Sequence, residues 1–475
     1  MPSSSLYLFR NDLRINDNPA LFAASQSGQP LILLFIMDDT DENWKIGRAS
    51  QWWLHQSLQV LNNDIQKQGG SLIVRRGETL KILDEIINKA EVNKLFISRA
   101  YEPSQKLIEE NIYAKWHQQI EIKRYGGYLL FEPEHIRTGS DQPYKVFTPF
   151  WKTCLKQLEP RLTKQRTLEA ITFSKVKIRH DNLNDWGLLP TKPDWAAGLR
   201  DNWQPGEAGA DKALHEFLQT GLKNYNEDRN RPDRIGTSRL SPHLHFGEIS
   251  PVRIWQEVKQ YTNTHEDHRD GLVSFLRELG WRDFSTHLLF NWPDIATKPF
   301  RPEYRNFPWK KNNKTLTAWQ KGLTGFPIVD AGMRELWHTG WMHNRVRMIV
   351  ASFLVKHLLI HWHEGEQWFW DTLVDADLAN NAASWQWVAG SGADAAPYFR
   401  VFNPILQGKK FDPDGDYVKH WIPEIRQVPT KFIHEPWLMT ANETGLVCDY
   451  PLPIIEHEVG RKTALDAYKK FKENH

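Results

Sequence analysis

The sequence predicts an α/β domain followed by an all-α domain, and three observations carry that prediction. Up to about residue 130, short apolar β-rich runs alternate with segments patterned as helices. Beyond about residue 206 the strand signal fades and helical periodicity dominates. A chain of 475 residues is also too long for one ordinary core.

The strand runs are LYLFR at 6–10, LILLFIM at 31–37, SLIVRR at 71–76, KLFISR at 94–99 and IEIKRY at 120–125. Between them, segments such as Arg48 to Gln68 place apolar residues at helical spacing. That alternation predicts a Rossmann-like parallel sheet with helices on both faces, over residues 1–130. Residues 131–205 are rich in Pro, Lys and Asp with weak periodicity, and read as a connector wrapped on the surface. Residues 206–475 form the helical domain, with runs at 272–290, 328–338, 343–362 and 365–373. The basic end RKTALDAYKKFKENH reads as a solvated amphipathic helix.

Composition narrows the function classes. The chain has 22 Trp, several times ordinary usage, and flat side chains serve both core filling and stacking on planar ligands. With 60 basic and 58 acidic residues the net charge is +2, so any nucleic-acid site has to be a local basic groove. Cys154 and Cys448 lie far apart without metal-ligand spacing, which fits a reducing compartment. There is no apolar leader run and no stretch of membrane-spanning length; the expectation is a cytoplasmic protein without membrane contact, a monomer.

Three signals fail on inspection. Gly390-Ser391-Gly392-Ala393-Asp394-Ala395 nearly matches a dinucleotide fingerprint, but it follows a Trp-rich helical stretch instead of a strand and reads as a tight bend. Asp412, Asp414 and Asp416 mimic a calcium loop whose sixth position, Tyr417, should be Gly and whose twelfth is Pro423. His361 and His363 are two apart, so on a helix they point to different sides; with Glu364 nearby they are not read as a metal site.

Five segments are harder to explain as plain core: LFRNDLRINDNPAL at 8–21, GTSRLSPHLHFGE at 236–248, ELGWRDF at 278–284, TGWMHNRVRM at 339–348, and the run from Asp375 to Phe411. The second sets a Gly turn, the hydroxyls of Thr237, Ser238 and Ser241, and Arg239 before a helical run, a combination suited to a pyrophosphate or, more simply, to a helix cap. Together and in this order the segments resemble the DNA photolyase and cryptochrome family over nearly the whole chain.

The resemblance implies FAD in the helical domain. Thr237, Ser238, Arg239, Leu240 and Ser241 match the stretch that holds the FAD diphosphate, and Tyr225 a further contact. Asp375, Ala376, Asp377 and Asn381 match the flavin segment, with Phe275, Arg282, Asn344 and Arg347 completing the cofactor set. Phe275 stands where several photolyases have Trp. An Asp375–Arg347 pair beside a flavin stabilises its anionic reduced form. Asn381 matches the side chain facing flavin N5; plant cryptochromes carry Asp there, so Asn favours repair over signalling.

On the substrate side, Trp281 and Trp387 match the walls of a cavity for a flipped-out pyrimidine dimer, and Glu278 the group on its base edge. The (6-4) photolyases have two His where this chain has Asn344 and Met348, which favours the cyclobutane dimer. Trp387 also argues against the single-strand-specific cryptochrome branch, where Tyr is usual. Arg229, Arg282, Arg345, Arg400 and Gln407 complete the expected contacts to damaged DNA. Trp309, Trp362 and Trp385 match the family's electron-transfer chain. The segment IGRASQWWLHQSL at 46–58 resembles the class III branch, which implies methenyltetrahydrofolate near Arg48, Trp52 and Glu102, with a deazaflavin or no antenna as alternatives. The expectation is a light-driven cyclobutane pyrimidine dimer photolyase; the rivals are a cryptochrome-type blue-light photoreceptor without repair and a flavin oxidoreductase for small molecules, which would leave the Arg/Trp pocket unexplained.

Overall fold

The computed structural model describes residues 3–40, 44–157, 171–398, 400–439 and 449–473. Cys448 lies outside the described residues; Cys154 is buried.

Five strands, β1 (Ser5–Phe9), β2 (Leu31–Met37), β3 (Leu72–Arg76), β4 (Lys94–Ser98) and β5 (Glu121–Tyr125), form one parallel sheet in the order β3-β2-β1-β4-β5. The near-continuous apolar runs follow from burial of both faces, and the side chains sort with period two. Tyr7, Phe9, Leu33 and Val74 pack under α1 (Pro19–Ser25) and α2 (Arg48–Lys67). Leu6, Leu8, Leu34 and Leu95 meet α3 (Thr79–Lys89) and α4 (Pro103–Trp116) on the opposite face. The expected strands and the Arg48 helix all form, within a residue or so at each end.

The connector does more than cross the surface. Its first helix, α5 (Phe147–Gln157), buries Phe147, Phe150 and Cys154 in a core shared with the helical domain. Its next described stretch returns to the sheet at the start of β2, where Leu31 donates to the Thr172 carbonyl at 2.8 Å and Ser174 to Leu31 at 3.0 Å. Then α6 (Ala197–Asn202) docks on the helical domain, with Gly198 against the His338 carbonyl.

The helical domain continues with α7 (Glu207–Glu216), α8 (Tyr225–Asp228), α9 (Ser241–His245), α10 (Pro251–Thr264), the long α11 (Arg269–Asn291), α12 (Asn313–Gln320), α13 (Pro327–Thr339), α14 (Asn344–Ser352), α15 (Trp362–Thr372), α16 (Leu378–Ala389), α17 (Pro404–Phe411), α18 (Asp416–Trp421) and α19 (His457–Glu473). The run at 343–362 is not one helix. After α14 a wide turn spans Phe353–His357, and Leu359 takes a left-handed φ of 52° that breaks the chain before α15. All-round apolarity hid that break, because both pieces are buried. The 390–395 stretch is a bend: Gly390 closes α16 at φ 83°, and the amides of Ser391 and Gly392 both donate to the Gln386 carbonyl at 3.1 Å. Asp412 caps α18, accepting from the amides of Tyr417 and Val418. The terminal helix α19 is amphipathic, with Ala464 and Phe471 buried in a cluster with Tyr304 and Tyr398.

Two sequence segments explain how the domains join. Leu13 donates to the Phe246 carbonyl, Arg14 to that of Gly247, and Trp53 Nε1 to Glu248 at 3.0 Å. The segments at 8–21 and 236–248 are therefore halves of one interface.

Candidate functional site

A cavity of about 790 Å³ opens between α8, α9, α11, α14 and α16. Its walls include every residue expected to hold FAD, from Tyr225 and Thr237–Ser241 through Phe275, Arg282, Asn344 and Arg347 to Asp375, Ala376, Asp377 and Asn381. The volume lies in the range of large small-molecule sites.

On one side the hydroxyls of Thr237, Ser238 and Ser241 line the cavity beside Arg239, which holds a left-handed φ of 52°. The Arg239 guanidinium lies 4.3 Å over Trp203 and 5.2 Å from Trp341, and its buried Nε has no protein partner. A buried cation with an unused donor beside three hydroxyls is a chemical match for a phosphate oxygen. Tyr225 stands edge-on to Phe275, 5.5 Å between centroids, and burial pushes its phenol up.

On the opposite side Arg347 Nη2 donates to both oxygens of Asp375, at 3.1 and 2.9 Å. Asp377 caps α16 through the Asn380 amide at 2.8 Å and accepts from Tyr128 at 3.0 Å, with His245 Nδ1 at 4.0 Å. Burial alone would raise this carboxyl, yet His245, Arg282 and the Asn380 amide together hold it well below the usual carboxylate range. Asn381 Nδ2 donates to the Glu366 carbonyl at 3.0 Å, which fixes the amide and leaves its oxygen for a ligand in the cavity. These donors and acceptors fit an isoalloxazine edge as well as they fit any polar ring.

The residues expected on the lesion side line the same cavity: Glu278, Trp281, Asn344, Met348 and Trp387, with Arg229 and Arg345. Glu278 is already engaged, its carboxylate 2.6 Å from Arg229 Nη1. Arg345 Nη2 donates to Asn230 at 2.5 Å and its guanidinium lies 4.5 Å over Phe411. The Arg282 guanidinium lines the cavity, donating to the carbonyls of Tyr128 and Leu244 while stacked 3.9 Å over the Tyr128 ring. Arg400, which is exposed, and Gln407 on α17 do not line the cavity.

Of the three Trp expected to carry electrons, Trp385 lines the cavity, packed 5.0 Å from Phe369 and 6.2 Å from Trp319. Trp309 and Trp362 lie farther out, and each has its ring centroid 5.4 Å from that of His361. Gly365 is what lets α15 approach, since a Cβ there would meet the Trp385 ring at 2.1 Å.

The three residues expected near an antenna lie in different surroundings. Trp52 is buried in the sheet core against Trp53, and Arg48 reaches outward to Asp371 on α15. Glu102 lines a separate cavity of about 40 Å³ that neither of them touches. Sequence reasoning also missed several groups at the main cavity: Tyr128 and Arg277 line it with no motif to mark them, and His245 and Trp341 line it from within the 236–248 and 339–348 segments without having been singled out.

Residues 5–169 match the family model for DNA photolyase, and residues 275–470 the model for the FAD binding domain of DNA photolyase. The chain is 44% identical to a deoxyribodipyrimidine photo-lyase of Agrobacterium fabrum, over 98% of this chain and 97% of that protein. It is 36% identical to cryptochrome-2 of Arabidopsis thaliana, over 100% of this chain and 80% of that one. Its fold superposes on the crystal structure of a bacterial class III photolyase from Agrobacterium tumefaciens with a TM-score of 0.94 and 43% identity, covering 100% of this chain and 98% of that one.

Proposed function

The chain belongs to the DNA photolyase and cryptochrome family, and from that premise we propose that it is a light-dependent carbon–carbon lyase that repairs cyclobutane pyrimidine dimers in DNA, with FAD in the 790 Å³ cavity. One observation carries the reading: the FAD set and the Trp281/Trp387 walls line one continuous cavity. Reduced FAD, when bound, supplies an electron under light that opens the cyclobutane ring and then returns, so no net redox change results.

The chain's own residues do the rest. Arg239 and the hydroxyls of Thr237, Ser238 and Ser241 bind the diphosphate, while Asp375, Arg347 and Asn381 orient the flavin. Trp281 and Trp387 take the two bases of an extruded dimer, a lesion cheaper to flip than an intact pair. Arg229 and Glu278 hold each other at the base edge, and Arg345 meets the phosphate backbone. Asn344 and Met348 offer no group to shuttle a proton, so the lesion is the cyclobutane dimer and not the (6-4) photoproduct.

The same reading makes the protein a cytoplasmic monomer acting on DNA. Among the described residues no helix is long and apolar enough to cross a membrane. The test is illumination of two oligonucleotides, one carrying each lesion, with chromatography of the released bases. Dimer reversal in light, none in darkness and none of the (6-4) lesion is the expected result. Absence of light-driven reversal would leave the photoreceptor reading, which the 36% identity to a plant cryptochrome supports.

A further inference from the structure

The wall of the cavity formed by Trp281 has a second layer that comes from outside the helical domain. Phe147, the first residue of α5 in the connector, lies flat against Trp281, with centroids 3.8 Å apart and planes within 7°. Behind it Trp151 stacks on Phe147 at 6.3 Å and 12°, in turn 6.1 Å from Trp255. Trp151 can reach that place because α11 has Gly280 there; a Cβ would meet its ring at 2.5 Å. Phe147 itself is 1% exposed.

The same residue is tied to other parts of the cavity. Its backbone amide donates to Asp394 Oδ2 at 3.0 Å, and Asp394 lies in the bend after α16 that lines the cavity near Trp387. The guanidinium of Arg277, one helical turn before Trp281, is 5.4 Å from the Phe147 ring at the cavity mouth. One buried ring thus touches an apolar wall and a mouth cation, and its amide holds the loop next to the other wall.

Resting on the reading of the cavity as a dimer site, we propose that Phe147 is a positioning residue for lesion recognition: by fixing the plane of Trp281, and the bend that holds Asp394, it sets the width of the slot that accepts a flipped dimer. An indole free to tilt would meet a dimer in many orientations, and the entropy of freezing it would be lost from lesion affinity alone. Undamaged DNA, held by cations on phosphates, does not use the slot.

The test compares binding of holoprotein to an oligonucleotide with one cyclobutane dimer and to its undamaged twin, in the dark. Phe147→Leu keeps an apolar side chain but removes the stack, and dimer affinity should fall about two- to tenfold with undamaged DNA unchanged. Phe147→Tyr, which keeps the ring, should restore the wild-type ratio. If Phe147→Leu loses FAD or melts early, Asp394→Ala loosens the same segment without touching a ring, and a smaller fall in the same ratio is expected. A ratio unchanged in both variants, or equal losses on both DNAs, overturns the proposal. A wild type that shows no preference for the dimer defeats the repair reading first, and this inference with it; a wild type that discriminates while the variants keep its ratio defeats this inference alone.

Discussion

Arg347 and Asp375 form a two-contact ion pair across the floor of the cavity, one Nη2 serving both carboxylate oxygens. The Asp375 side chain is 4% exposed, whereas that of Arg347 is 24% exposed and reaches the cavity. Asp375 is therefore the buried anchor and Arg347 the group it presents to a ligand. Replacing Asp375 by Ala leaves the cation unpaired, at a cost of about 3 kcal/mol, the low end for a broken buried pair because Arg347 keeps some solvent. Purified Asp375→Ala should melt earlier and carry less FAD per chain, read from the visible absorbance. Full FAD occupancy in that variant would show that the pair is structural only.

Asn381 is held at one end only, by its Nδ2 bond to the Glu366 carbonyl. In Asn381→Asp that donor becomes an oxygen facing an oxygen, so the new carboxyl has to turn or take up a proton. FAD should remain bound, because the diphosphate side is untouched. The flavin state that accumulates under illumination should change, as followed by visible absorption. Spectra identical to wild type would remove Asn381 from the flavin edge.

Much of this site was legible in the sequence because its residues come in short segments that the fold merely folds back on themselves. Thr237–Ser241 and Asp375–Asn381 each deliver several cavity groups from consecutive positions, so a linear pattern captures them. The inner strands β1, β2 and β4 were legible for a similar reason, since burial on both faces leaves continuous apolar runs. Phe147 and Tyr128 were not, because Tyr128 reaches the cavity, and Phe147 braces its Trp281 wall, through packing that no local spacing encodes; His245 lay within the 236–248 segment but its role shows only in the fold. The connector misled by composition: its Pro and Lys hid the buried set of Phe147, Phe150 and Cys154. The partners of Arg282, the Tyr128 and Leu244 carbonyls, were not legible either, because they come from segments far from α11 in sequence. Arg48, Trp52 and Glu102 differ in surroundings because α2 turns Trp52 into the sheet core and Arg48 outward, while Glu102 precedes α4.

Trp385 is buried among Phe369 and Trp319 and is also a cavity residue, which makes it the expected last donor before the flavin. Trp385→Phe keeps an aromatic ring, smaller than the indole and far harder to oxidise. Photoreduction of oxidised flavin, with a thiol as final electron source, should be abolished. Repair by enzyme reduced chemically beforehand should survive. Normal photoreduction in the variant would require a route that avoids this ring.

His287 is 1% exposed on α11 and its Nε2 accepts from the Tyr144 amide at 3.0 Å, so the folded protein needs it neutral. Burial first, and then Arg137, pull its pKa down to about 4. Because the folded value lies below the unfolded value near 6.5, the unfolded chain binds more protons between the two, and stability from this group falls as pH drops through that window. The loss is about 1.4 kcal/mol per pH unit at most. His287→Gln keeps an acceptor without the titration, so its melting temperature should decline less steeply than wild type from pH 6.5 to 4. Parallel curves would mean that the ring already titrates normally.

Trp281 and Arg345 line the same cavity but should fail in opposite ways. Trp281 presents a ring braced by Phe147, a surface for stacking a base and useless for a phosphate. Its replacement by Ala should remove about 1 to 3 kcal/mol from dimer binding, roughly tenfold to a hundredfold, and leave undamaged DNA and its salt dependence as they were. Arg345 is anchored by Asn230 and Phe411, with a buried Nε that has no protein partner. Its replacement by Ala should weaken both DNAs alike and flatten the slope of log affinity against log salt by about 0.9, the signature of one lost phosphate contact. Titration of each variant with damaged and undamaged duplex at several salt concentrations separates the two patterns. Equal losses on both DNAs in Trp281→Ala, with FAD content unchanged, would move the dimer slot away from this wall.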